Sequence, residues 1–522
     1  MKFSHLASLG LLVLSSCSTT PPAGTSSVPA SLAQIETLTR KGLDSDLARR
    51  DYAAATARII AAWQVQTGDH PTTETWVIKD GAQTWHIQPT WPRDLSFDRL
   101  IPVTHAKDRM LNRVVSRDGV GTPYVARWDY TEERKKTNPF MTDSGYLRPV
   151  TATIEPRSTR SGIHTLSLRV HDPRAEKTVK LAGDTQPLAA DFSAVGELIM
   201  ASAKKGMVMP GLGALRNSKK YLNKLGLITL EPPAANRIPV IFIHGLMSRP
   251  LTWHNAFNEL GSDPEILKNY QLYFFRYPSG VPVVYSAARF REQLALLHQE
   301  LARIGNHRAA GNMVLIGHSM GGLVSKLQVQ SSGDRLWINV FGAPPDKLGF
   351  KPDVIAAFKQ YLEFESNPHI SRVIFVCTPH RGSTMAQGFV GGVGRRLVSL
   401  PSQILGDTFS ILQGDLPDNP IINRLMKKGL PSSIDNLSPT SPFLMESVKI
   451  PLRPGLHIHS IIGNKDGLPL TDPKCTDGVV PYTSAHLDGV ESEFVLRSKH
   501  GAHERSEAIA EMRRILLLHL KK

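Results

Sequence analysis

From about residue 228 onward, short apolar runs bounded by turn residues alternate with longer stretches of helical spacing. Pro239-Val-Ile-Phe-Ile243, Leu272-Tyr-Phe-Phe-Arg-Tyr277, Met313-Val-Leu-Ile316, Val373-Ile-Phe-Val-Cys377, His457-Ile-His-Ser-Ile-Ile462 and Glu493-Phe-Val-Leu-Arg497 read as strands. Residues 284–304, 323–330 and 504–520 read as helices, the last closing the chain. Strands buried on both faces give continuous apolar runs rather than alternating ones. The pattern therefore predicts an α/β architecture with a mostly parallel sheet covered by helices on both faces.

Upstream the pattern differs. Residues 32–66 carry Ala, Leu and Ile among Arg, Asp and Glu at a helical period, predicting one or two helices. Residues 75–190 hold short alternating runs, such as Val150-Thr-Ala-Thr-Ile154 and His164-Thr-Leu-Ser-Leu-Arg-Val170, broken by Gly, Pro and Asp. These predict a β-rich region, so the N-terminal part is expected to be a smaller α+β unit. It shows no catalytic constellation.

The first residues read as an address. Lys2 precedes an apolar stretch, Leu6 to Leu14, too short to span a bilayer as a helix. It ends in Leu14-Ser-Ser-Cys17, which resembles a bacterial lipoprotein cleavage box, with Cys17 as the lipidated new N-terminus. Ser18 in place of Asp favours, by the same resemblance, the outer membrane. Residues 1–16 are then a signal peptide and 17–31, rich in Ser, Thr, Pro and Ala, a solvated tether.

Composition narrows the classes. The 522 residues are 41% hydrophobic and 20% charged, so the chain can bury enough surface to fold. No run of about 18 apolar residues follows the leader, which excludes a polytopic membrane protein. Three Cys build neither a disulfide scaffold nor a Cys-based zinc module. Cys377 and Cys475 are the thiols besides Cys17: an oxidising compartment would allow them to pair, whereas burial in a strand suits Cys377 as a small core residue. A net charge of +15 fits either a solvated surface or contact with anionic lipid, with the run of six basic and no acidic residues between 198 and 230 as the membrane-facing candidate. No nucleic-acid partner is expected, because basic residues are not interleaved with aromatics.

Candidate chemistry begins at Gly317-His-Ser-Met-Gly-Gly322. G-x-S-x-G is weak alone, but here it directly follows one predicted strand and precedes a helical segment. A sharp strand-to-helix turn would lift Ser319 above the sheet, with Gly317 and Gly321 avoiding collision with neighbouring backbone. A negative oxygen in acyl transfer needs fixed donors. Met320 N–H, after the nucleophile, is one. Leu246 N–H, in His244-Gly245-Leu246 after strand 239–243, is the other, with Met247 in reserve. His244 then holds the loop.

The base should lie between the last strand and the closing helix, where His500 and His503 are found. His500 is nearer the strand end and is followed by Gly; His503 falls in the first turn of the helix. The acid should follow strand 457–462, where Asp466 and Asp477 both stand in D-G turns. Position favours Asp477 and His500.

Together these residues resemble serine lipases and esterases of the α/β-hydrolase fold over roughly 236–520. Phe242-Ile-His-Gly-Leu246, Gly317 to Gly322, Thr378-Pro-His-Arg-Gly-Ser383 and Thr476-Asp-Gly-Val-Val480 look like bacterial triacylglycerol lipases and GPI inositol-deacylase-like hydrolases. The resemblance implies that the Asp of the D-G-V-V segment, Asp477, is the triad acid, and it supports His500 as base. His380-Arg381 and the second His at 503 depart from the family pattern. The implied organisation is an accessory region at 32–230 and a catalytic domain at 231–522, with insertions about 333–370 and 380–450. The second insertion is apolar and Gly-rich, suiting a cap over an acyl-binding cleft. Trp253 and Tyr277 either line that cleft or pack beneath it.

The expected function is hydrolysis of carboxylic esters, lipid or other acyl esters, at the bacterial cell envelope, membrane-held through the lipid anchor. Neither a metal nor another cofactor is needed. The alternatives are an acyltransferase on the same triad and a non-catalytic envelope lipoprotein that keeps only the fold.

Overall fold

The computed structural model describes residues 27–521 except 104–110, 182, 205–223 and 384–432. Two helices, Val28–Lys41 and Asp46–Thr67, come first. Ser27 Oγ accepts from Ala30 N–H at 3.3 Å and Ser45 Oγ from Ala48 N–H at 3.1 Å, each satisfying a donor the helix leaves orphaned. The first helix thus begins at residue 28, inside the expected tether. Pro29 is tolerated in its first turn, where an N–H has no acceptor, and Ser31, Leu32 and Ile35 are buried. The leader and Cys17 lie outside the described residues.

Both helices pack on a six-stranded sheet in the order Trp76–Asp80, Gln83–Thr90, Ile163–His171, Tyr146–Arg160, Thr122–Trp128, Arg99–Pro102. Gln83–Thr90 and Ile163–His171 run parallel, and the other neighbours antiparallel. The Tyr52 hydroxyl donates to Ile154 C=O and accepts from Ile154 N–H, both at 2.8 Å, tying helix to sheet within a core that includes Ile59, Trp63, Leu166 and Leu168. The region is α+β, as the sequence pattern predicts.

A seven-stranded sheet follows, ordered Gly226–Ile228, Tyr270–Arg276, Ile238–Ile243, Met313–His318, Ile370–Val376, His457–Gly463, Ser492–Leu496. All pairs are parallel except the first, and that first strand lies before residue 231. Side chains alternate between two faces. Ile241, Ile243 and Leu315 join a core with helices Val283–Arg303 and Met320–Lys326; Val240, Phe242, Val314 and Ile316 join another with Trp253 and the closing helix Ser506–His519. The helix read at 323–330 starts earlier because the turn at Ser319 delivers the chain directly into it. His503 falls in a short 3-10 turn, Ala502–Glu504, ahead of the closing helix rather than in its first turn.

The insertion about 333–370 holds helices Arg335–Phe341 and Pro352–Leu362. Trp337, Phe341, Phe350 and Phe358 interlock there and join the core of the large sheet. Most of the insertion about 380–450 lies outside the described residues; helix Pro442–Lys449 at its end packs on Arg335–Phe341.

Main-chain bonds and a partly buried ion network join the two sheets. Thr229 N–H donates to Phe140 C=O at 2.9 Å and Leu147 N–H to Leu230 C=O at 2.8 Å. Arg174 reaches Asp172 at 3.2 Å and Glu231 at 2.5 Å, Arg148 reaches Asp172 at 2.7 Å, and Arg237 reaches Glu231 at 3.3 Å. Burial opposes the charge of Glu231, but the Arg174 and Arg237 guanidinium groups hold it far below the usual carboxylate range. Most of the basic stretch 198–230 is outside the described residues; within it, Lys224 pairs with Asp143 at 3.0 Å. No described helix is long and apolar enough to cross a membrane.

Candidate active site

Strand Met313–His318 ends at the sheet's C-terminal edge, where the chain turns at Ser319 with φ 55° and ψ −124° before helix Met320–Lys326. A non-glycine residue in the left-handed region is strained, and such strain persists only where the surroundings over-determine it. Here they do. Ser319 N–H donates to Val376 C=O at 2.8 Å. A Cβ on Gly321 would lie 2.3 Å from Ile243 O and 2.5 Å from His244 O, and one on Gly317 2.6 Å from Gly321 O. The turn is therefore closed to side chains.

Three residues expected to work together are brought together. His500 Nε2 is 2.9 Å from Ser319 Oγ, and its Nδ1 is 2.7 Å from Asp477 Oδ2. A carboxylate only accepts, so Nδ1 carries the hydrogen and Nε2 offers its lone pair to the hydroxyl. Asp477 Oδ1 accepts from Val479 and Val480 N–H at 2.8 and 2.7 Å. Burial would raise this carboxyl, but the bond from His500, the positive charge His500 carries once protonated and these two amides outweigh it and hold Asp477 below the ordinary carboxylate range. Asp466 is apart from this line, exposed and beside Lys465 at 3.4 Å. His503 is also apart: its Nε2 bonds Thr252 Oγ1 at 2.7 Å.

The donors proposed for an oxyanion flank Ser319. Met320 is the first residue of its helix, so its N–H has no acceptor in that helix and stands at the positive end of the dipole. The Gly245-Leu246 loop passes so close that a Cβ on Gly245 would lie 2.9 Å from Ser319 Cβ. Met247, the reserve donor, has its N–H taken by Ser279 Oγ at 2.9 Å and φ of 56°. His244 holds the loop from beneath: Nδ1 bonds Gly245 C=O at 3.0 Å, and its ring stacks on Tyr277 at 4.3 Å. Burial pushes its pKa down to about 4. Tyr277 packs rather than lining a cleft, donating to His244 C=O at 2.7 Å; fully buried Trp253 packs on Phe242.

Cys377 and Cys475 are both free and buried. Cys377 Sγ, an Asp477 oxygen and a His500 nitrogen lie within 4.8 Å of one another, a donor set able to hold a metal ion. Its Asp and His atoms are already engaged with each other and with backbone amides. Burial and the neighbouring Asp477 push the Cys377 thiol up, keeping it protonated.

Sequence reasoning missed the frame around these groups. Ser279, Thr252 and the ring-packed His318 carry no motif of their own. His318 is the variable position of G-x-S-x-G, and only its place between Gly317 and Ser319 marks it.

Among curated proteins none matches the chain. The chain is similar to the lipase BlEst2 of Bacillus licheniformis in mature form, at 16% identity and a TM-score of 0.33, covering 56% of this chain and 97% of that one. It is similar to a metagenomic carboxyl esterase at 18% identity and a TM-score of 0.29, covering 59% and 79%. It is similar to EstA from Clostridium botulinum at 14% identity and a TM-score of 0.30, covering 57% and 95%. The family model that matches spans residues 240–511, just over half of the chain and all of the elements that carry Ser319, Asp477 and His500: the protein belongs to the alpha/beta hydrolase family.

Proposed function

We propose that the protein is a serine hydrolase that cleaves carboxylic esters, lipid or other acyl esters, by two-step acyl transfer. The observation that carries this reading is the continuous hydrogen-bonded line from Asp477 through His500 to Ser319, on a strained turn at a helix N-terminus. His500 Nε2 takes the hydroxyl proton as Ser319 Oγ attacks the ester carbonyl. Asp477, kept ionised, stabilises the imidazolium. Met320 and Leu246 N–H groups meet the oxyanion. His500 then returns the proton to the departing alcohol, and a water activated by the same imidazole releases the acid from the acyl-enzyme. The Leu14-Ser-Ser-Cys17 box supports a lipid-anchored place at the bacterial envelope, where lipid and acyl esters are at hand.

A fluorophosphonate probe and a chain-length series of p-nitrophenyl esters test the reading. The protein is expected to be labelled and to turn over the esters, and Ser319→Ala to abolish both. Undiminished turnover in that variant removes the assignment.

A further inference from the structure

Behind the base stands a second imidazole that no step of the proposed reaction uses. His318 is the last residue of strand Met313–His318 and is 6% exposed. Its Nε2 lies 2.9 Å from the main-chain oxygen of His500. A carbonyl only accepts, so Nε2 carries the hydrogen and donates. Its ring lies 4.9 Å from that of His500 and packs at 3.8 Å against His503, the two planes tilted by 32°. His503 is in turn bonded to Thr252 and set edge-on to Trp253 at 5.0 Å. Packing on one side and a hydrogen bond on the other thus fix the His318 ring.

Resting on the triad reading above, we infer that His318 is a positioning residue for His500: its Nε2–H clamps the main chain of the loop that carries the base and so sets the reach of the imidazole to Ser319. The two bonds made by the His500 ring, to Asp477 and to Ser319, orient the ring but do not fix the loop behind it. His500 arrives from a loop after strand Ser492–Leu496, 181 positions from the nucleophile. The clamp and the nucleophile, by contrast, are consecutive residues at one strand end. Base and nucleophile are thereby registered through a rigid element, as a site held to fractions of an ångström needs.

The charge state of His318 fits this role. The ionisable groups that face it are His500, His503, His244 and, beyond His500, Asp477; His254 and Glu504 border His503. Burial first, then the neighbouring His500, push His318 down to about 3, so it stays neutral. A cation there would oppose the charge His500 gains in the reaction.

Steady-state kinetics on a p-nitrophenyl ester test the clamp, using the full chain and four variants: Ser319→Ala, His318→Phe, His318→Leu and His318→Gln. Urea unfolding accompanies each. Phe keeps a ring without a donor, Leu keeps neither, and Gln keeps an N–H that can reach the same carbonyl. His318→Phe and His318→Leu are expected to lower kcat about 100-fold, the order of loss that follows a displacement of about 1 Å, with KM within about twofold. His318→Gln is expected to recover at least about tenfold of that loss. Wild-type kcat in a folded Phe or Leu variant overturns the clamp while the triad stands, provided Ser319→Ala is inactive. Equal impairment of Gln and Phe overturns it too, leaving ring packing alone. Turnover by Ser319→Ala overturns the triad reading itself.

Discussion

Among the described residues, the buried imidazoles of His244, His318, His380, His459 and His503 stay neutral because burial disfavours their charged form. His244 and His459 are pushed down to about 4 and His318 to about 3, from an ordinary 6.5, and the other two well below it. The unfolded chain therefore binds more protons than the folded one as soon as pH drops below 6.5. The stability these residues support is complete above that pH and is lost as pH falls toward 4 and 3. Urea unfolding between pH 7 and 4.5 is expected to show stability falling by more than about 1.4 kcal/mol per pH unit, the slope of a single proton; a flat profile would count against neutral burial. At this scale the hydrogen-bonded line Asp477–His500–Ser319 was legible, because chain order and turn chemistry restrict where each can stand. The choice of Asp477 over Asp466 had a readable cue in the Val-Val after its Gly, whose amides hold the carboxylate. The role of His318 was not legible, since its partner is a main-chain oxygen 182 positions away.

The turn at Ser319 shows what an element demands of its neighbours. Gly321 has helical company and no need of unusual dihedrals, yet its missing Cβ is what lets the helix approach strand Ile238–Ile243. Gly321→Ala would press carbon onto two main-chain oxygens that have no freedom to move. It is expected to lower stability by about 1–3 kcal/mol, measured by urea unfolding, and to cut ester turnover with it. Strands and the longer helices were readable from their apolar runs, since burial on both faces leaves little room for polar residues. The edge of the tether was not: Ser, Pro and Ala read as a solvated linker until a capping serine and a buried Leu32 turn the same residues into a first turn. The interlocked aromatics of Arg335–Phe341 and Pro352–Leu362 were also hidden, because contacts between insertions have no local period.

In the whole molecule, the ion network around Arg174 joins accessory region and hydrolase. Glu231→Gln would leave the Arg174 and Arg237 charges with less compensation in a poorly solvated place. An expected loss of about 1–3 kcal/mol, read by urea or thermal unfolding, follows from removing one partner of a partly buried cation that keeps Asp172; unchanged stability would mean that water reaches the network freely.

The strand Gly226–Ile228 carries a practical lesson. It is the outermost rung of the large sheet, and it lies on the accessory side of residue 231. A shortened chain begun at 231 would uncover the flank of Tyr270–Arg276, a row of unpaired amides and carbonyls ready to template a strand from another copy. Three residues of the preceding region thus shield the hydrolase from sticking to itself, and whoever trims the protein to its chemistry should keep them.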